Sequence, residues 1–163
     1  MFLFTLALAQ RGSNLLVQHI ERLRRVYAAV ENRRPFETVA ICILPDHIHA
    51  LWQLPDGDAD YALRWSLFKS GFSRGLPPRR RSISKIVKRE KGIWQRRYWE
   101  HASRNDADFE RHVDYTHCNP VKHGLVSAAP INFHPSPLHD DRGADLGAVV
   151  QIDDVVVGHA DAA

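Results

Sequence analysis

The chain has 163 residues, of which 44% are hydrophobic and 25% charged, with a formal net charge of +3. That length suits one domain with a single core, and no apolar run approaches the roughly 20 residues of a bilayer span, so no membrane partner is expected. Two cysteines, Cys42 and Cys118, make no disulfide framework; a reduced, cytoplasmic setting is expected.

The charge is unevenly placed. From Arg64 to Arg97 twelve Lys or Arg stand against the single acid Glu90, a block of +11. From Ile131 to Ala163 six Asp stand against one Arg, a tail of −5. Such asymmetry points to a polyanion-binding surface; the competing reading is a solvated face with no partner.

FLFTLALA, near the N-terminus, reads as a first strand; it lacks the basic lead of a signal peptide. Ser13 or Asn14 can cap a helix whose apolar residues Leu16, Ile20, Leu23, Tyr27 and Val30 share one face. FETVAICIL (36–44) is β-branched and apolar, HIHALWQL (47–54) is a second strand, and the two form a hairpin through Pro45-Asp46. After the turn at Pro55-Asp56-Gly57, the residues Tyr61, Trp65, Phe68 and Phe72 mark a second helix, with Arg64, Lys69 and Arg74 along its sides.

The stretch from Gly75 to Gly92, with Pro77-Pro78 and Arg79-Arg80-Arg81, reads as a basic, partly mobile loop. IWQRRYWEH (93–101) reads as a strand, and Asn105 or Asp106 can cap a third helix over roughly 106 to 119. Beyond about residue 130 the composition turns to prolines, acids and alanines. The division expected is therefore a domain over 1–130 and an acidic, disordered tail over 131–163. The order β-α-β-β-α-β-α predicts an α+β fold, an antiparallel sheet with helices on one face.

Two stretches carry chemistry. In PDHIHALW, His47 and His49 point to one face of their strand, while Ile48, Ala50 and Trp52 point to the other. Two imidazoles so placed can reach one divalent metal and need a third ligand from elsewhere; alternatively they are polar residues on a solvated face. In RHVDYTHCNPVKHG (111–124), Tyr115 and Asn119 are i, i+4 neighbours on one helix face, with His112 close by. A phenol is a known covalent nucleophile, and an amide oxygen can join a metal shell; otherwise Tyr115 packs in the core with its hydroxyl paired.

DHIH on a strand, LRWSLFKSGFSR, GIWQRRYWEH and DYTHCNPVKHGLV together closely resemble the REP-associated tyrosine transposases, from about Phe4 to Val126. These are relatives of the single-tyrosine insertion-sequence transposases within the HUH endonucleases. The resemblance implies a ferredoxin-like (RRM-like) sheet and a metal-dependent endonuclease and strand transferase on single-stranded, hairpin-forming repeat DNA. It implies His47, His49 and Asn119 as ligands of Mg²⁺ or Mn²⁺, although insertion-sequence enzymes more usually carry glutamine at the last position. It implies Tyr115 as the nucleophile, leaving a 5′-phosphotyrosine and a free 3′-hydroxyl.

In that setting Arg64, Lys69, Arg74, Arg79, Arg80, Arg81, Lys85, Lys88, Arg89, Lys91, Arg96 and Arg97 would meet DNA phosphates. Trp94, Tyr98 and Trp99, interleaved with arginines, could stack unpaired bases or pack in the core. A nucleoid-associated protein, monomer or homodimer, follows. The segment AAPINFHPSPLH (128–139) and the acidic tail depart from the family pattern, which leaves a second reading: a hairpin-binding protein of the same fold with impaired catalysis.

Overall fold

The computed structural model describes residues 1–103 together with Asn105, Asp108 and Arg111. Of the third helix expected over 106–119, only Asp108 and Arg111 are described, and the Asp108 N–H donates to Asn105 Oδ1 at 2.9 Å; Tyr115 and Asn119 lie outside the described residues. So do the domain boundary at 130 and the tail.

The elements are β1 (Phe2–Ala7), α1 (Leu15–Gln18), α2 (Ile20–Arg33), β2 (Glu37–Ile43), β3 (His47–Gln53), α3 (Tyr61–Ser73), α4 (Ile83–Val87) and β4 (Trp99–Ala102). The four strands form one sheet in the order β2-β3-β1-β4, every pair antiparallel. This is the α+β sheet the element order predicts. It interleaves the strands: β1 sits between β3 and β4, which explains why FLFTLA carries apolar side chains on both faces. Phe4, Leu6 and Leu8 face α2 and α3 in the main core, and Leu3 joins Ala40 and Leu51 in a small cluster on the other face.

Aromatic rings fill the space between sheet and helices. Trp52 of β3 stacks on Trp65 of α3, centroids 3.9 Å apart, and meets Phe36 at 4.0 Å. Its indole N–H donates to Tyr27 Oη at 2.7 Å, and that hydroxyl pairs with Thr38 Oγ1 at 2.7 Å. Burial pushes the Tyr27 hydroxyl far above its ordinary range. Tyr27 is thus a satisfied core residue.

Three expectations change. The first helix is broken at His19, whose φ of −120° departs from helical geometry, so α1 and α2 are separate. Asn14 stands at the N-cap of α1 but its side chain makes no capping hydrogen bond; Ser13 Oγ accepts from the Leu15 N–H at 3.3 Å. The basic loop contains a short helix, α4, and is tied down. Lys91 Nζ donates to the carbonyls of Ser73 and Leu76, and the Arg79 N–H donates to Lys91 O. Finally, 93–101 is not one strand. Trp94 forms an isolated bridge to Leu8, and the ladder resumes only at Trp99.

Candidate functional site

β3 places both histidines on the sheet face away from α2 and α3, and both are buried, at 6% and 3% exposure. The rings lie 5.1 Å apart at 88° to one another. Each is held through Nδ1. His47 Nδ1 lies 2.6 Å from Asp46 Oδ1, and His49 Nδ1 lies 2.8 Å from Thr5 Oγ1 on the neighbouring strand, where the register sets Thr5 opposite His49.

A carboxylate can only accept, so the Asp46 contact makes Nδ1 the protonated nitrogen of His47 and Nε2 the nitrogen with a lone pair. Burial would raise the Asp46 carboxyl, but His47, the Gly12 N–H at 2.7 Å and Arg11 outweigh it and hold the group below its ordinary value. An ionised carboxylate or hydroxyl behind each imidazole is the support that metal-ligating histidines commonly have. The donor set therefore fits a divalent transition or alkaline-earth ion that brings further oxygen ligands. Among the described residues no cluster of three His, Cys, Asp or Glu completes such a site. Cys42 stands opposite His49 on β2, and burial pushes its thiol up to about 12.

Sequence reasoning missed both supporting groups. Asp46 was legible only as a turn residue, although it immediately precedes His47. Thr5 has no local signal at all, since its role exists only through the β1–β3 register.

The basic residues divide into groups. Arg64 is corrected. It is 2% exposed, its guanidinium donates to the carbonyls of Arg34, Pro35 and Asp60, and it pairs with Asp58 Oδ2 at 2.6 Å. Position 64 is i+3 from Tyr61 and i−4 from Phe68, so it lies on the inner face of α3 and holds the start of that helix to the end of α2. Lys69 is half-buried, and its ammonium donates to the carbonyls of Gln95 and Arg96 above the Tyr98 ring. Burial brings it down to about 8. Lys85 donates to Trp94 O, and Arg96 is paired with Glu90 and with Ser84 Oγ. Arg74, Arg79, Arg80, Lys88, Arg89 and Arg97 are exposed and Arg81 is half-buried. Arg74, Lys88, Arg89 and Arg96 border a cleft of about 600 Å³ between α3 and the segment 88–98. Of the interleaved aromatics, Trp94 is core at 8% exposure, Tyr98 packs against Phe4, and Trp99 is 53% exposed. No helix among the described residues is long and apolar enough to cross a membrane.

The class these features define is an α+β protein with a strand-borne, anchored histidine pair and a strongly basic flank. No family model matches the chain. A REP-associated tyrosine transposase of Haemophilus influenzae is 45% identical over 148 residues, covering 90% of this chain and 84% of the relative. That span is longer than the motif-bearing stretch from Phe4 to Val126. The REP-associated tyrosine transposase of Escherichia coli K12 is 43% identical over 125 residues, covering 76% of this chain and 67% of the relative. A solved REP-associated tyrosine transposase bound to a REP hairpin is similar at 34% identity and a TM-score of 0.68, covering 89% of this chain and 91% of that one. The chain belongs to the REP-associated tyrosine transposases.

Proposed function

We propose that this protein cuts and rejoins single-stranded DNA at hairpin-forming repeats through a covalent phosphotyrosine, with a divalent metal. The observation that supports it best is the pair His47 and His49, each backed at Nδ1 by an oxygen and directed to one sheet face, in a chain whose solved relative carries a REP hairpin.

His47 and His49, with Asn119 as the third ligand, would hold Mg²⁺ or Mn²⁺. When bound, the ion supplies Lewis-acid polarisation of the scissile phosphate. Tyr115 is the proposed nucleophile. Its phenol oxygen attacks phosphorus, the bond to the 3′ oxygen breaks, and a 3′-hydroxyl leaves while the 5′ phosphate stays on the tyrosine. The ester linkage keeps the phosphate transferable, so a 3′-hydroxyl can reverse the step without ATP. Exposed basic residues from Arg74 to Arg97 would take DNA phosphates and make affinity salt-dependent.

The test is a denaturing gel with a labelled repeat hairpin bearing a single-stranded flank, run with Mn²⁺ and with EDTA. A metal-dependent, detergent-resistant adduct lost in Tyr115→Phe is the expected result. Tight hairpin binding with neither adduct nor cleavage would replace this reading with that of a hairpin-binding protein. An adduct that persists in Tyr115→Phe would move the nucleophile elsewhere.

A further inference from the structure

We propose that Trp99 is a stacking platform for an unpaired DNA base beside the phosphate that the histidines address; this rests on the function proposed above. Three observations carry it.

The first is position. Thr5 lies opposite His49 on one side and opposite Trp99 on the other. Directly opposed residues of antiparallel strands point to the same face, so His49, Thr5 and Trp99 form one row on the sheet face away from α2 and α3. Two interstrand spacings separate the ends of that row, about 10 Å. A nucleotide next to a phosphate at the histidines falls within that span.

The second is exposure. Trp52, Trp65 and Trp94 are all core residues, and Trp99 alone of the four tryptophans is open, at 53%. Among the described residues the other large exposed apolar ones, Ile83, Ile86 and Val87 on α4, are aliphatic and offer no ring face. Trp99 therefore presents an aromatic surface where the fold has no use for it as core.

The third is fixation. The indole lies parallel to the His101 ring, 4° between planes and centroids 5.7 Å apart, and His101 Nε2 is 2.9 Å from Asp108 Oδ2. His101 sits opposite Leu3, in the next row of the same face. A ring braced in this way needs little further ordering when a base arrives. Stacking tolerates any base, with preference following stacking strength.

The test uses the full chain in EDTA, with a repeat hairpin carrying a single-stranded flank and the same hairpin cut blunt. Because the other tryptophans are buried, accessible emission reports Trp99. The flanked hairpin should quench it and the blunt one should not. Trp99→Ala should weaken the flanked hairpin by about 5- to 150-fold, the worth of one stacked base, and leave the blunt one unchanged. Trp99→Phe should keep most of the affinity, and Trp99→Leu, large but without a ring face, takes the place of Trp99→Ala if that variant does not fold.

Unchanged affinity of Trp99→Ala or Trp99→Leu for the flanked hairpin, with no quenching of the native protein, would overturn the proposal. So would loss of a dimer in Trp99→Ala at unchanged DNA affinity, which would assign Trp99 to a contact between copies. The Tyr115 adduct assay on the same DNA separates the two readings. An adduct with no dependence on Trp99 sinks the platform alone. Flank-dependent quenching with no adduct sustains the platform in a protein that only binds.

Discussion

Asp46 Oδ1 and His47 Nδ1 are 2.6 Å apart, a carboxylate and an imidazole on adjacent residues at the mouth of β3. Asp46 also accepts the Gly12 N–H at 2.7 Å and pairs with Arg11 at 3.3 Å, so the carboxylate is fixed before it fixes the histidine. Such an arrangement makes a ring more basic at its other nitrogen and limits its rotation. Asp46→Ala should therefore reduce metal-dependent adduct formation by about 10- to 100-fold, with partial rescue at raised Mn²⁺ and unchanged hairpin binding in EDTA. Thr5→Val should act in the same direction through His49. Adduct yields in both variants that match the native protein across a Mn²⁺ titration would remove these groups from the site.

Arg64 and Asp58 yield a stability prediction. Arg64→Ala strips partners from the carbonyls of Arg34 and Pro35 and from Asp58. A charge-assisted hydrogen bond is worth about 1.5–3 kcal/mol, and water can reach the part-exposed Asp58 once it is freed, so a loss of about 2–3 kcal/mol is expected, or about 5–10 °C in Tm for a chain of this size. The affinity of the folded fraction for hairpin DNA should not change, which a binding isotherm corrected for folded protein would check. The pH dependence has a definite sign. The Arg64 guanidinium, with the Asp60 N–H, holds Asp58 down to about 2 from 3.8. A depressed carboxyl contributes stability above its unfolded value and loses it as pH falls toward the folded one. Asp58→Asn should therefore flatten the acid limb of the unfolding curve between about pH 4 and 2, and leave it parallel to the native curve at higher pH.

Much of this fold is legible in the residues, and the exceptions have physical causes. The 61, 65, 68, 72 spacing of α3 reflects burial of one helix face, and the short apolar run of β1 reflects a strand covered on both faces, patterns that the sequence shows directly. The same spacing places position 64 inside, but an arginine there reads as surface because its partners are backbone carbonyls remote in sequence. The break at His19 interrupts an apolar pattern that continues across it, so periodicity cannot show it. The shared direction of His47 and His49 follows from strand geometry alone, whereas Thr5 enters through register. Tyr115 and Asn119 rest on the motif and the family. α4 is not legible because an arginine, Arg89, stands where a helix stop usually has glycine.

The contact of α2 with α3 depends on Gly71. A Cβ built there would come 2.7 Å from Val26 Cγ1. Valine in a helix is nearly restricted to one rotamer, so the clash is met by separating the helices. Gly71→Ala gains about 1 kcal/mol of helix propensity but overpacks at about 1–3 kcal/mol; a net loss of about 1 kcal/mol is expected. Adding Val26→Ala should remove the clash, so the double variant should melt above Gly71→Ala despite losing two half-buried methyl groups. If the double variant melts lower still, the close approach is not what Gly71 serves.

Arg89 ends α4 with φ at +55°, the one non-glycine residue in the left-handed region among those described. The Glu90 N–H reaches Lys85 O and the Arg89 N–H reaches Ile86 O, both at 2.9 Å, the pairing of a Schellman stop that usually has glycine where Arg89 stands. The turn delivers Glu90 to Arg96 at 2.9 Å and leaves Arg89 exposed at the rim of the basic cleft. An L residue there costs about 1–2 kcal/mol, and such strain is often kept where a side chain has work to do. Arg89→Ala keeps the strain and loses the charge; Arg89→Gly relieves the strain and loses the charge. Arg89→Gly should thus melt about 2–4 °C above Arg89→Ala, for about 1 kcal/mol. Both should bind hairpin DNA more weakly than the native protein, with the slope of log affinity against log salt shallower by about 1. A native slope in both variants would take Arg89 off the phosphate path, and equal melting temperatures would mean that the left-handed turn carries no strain for glycine to relieve.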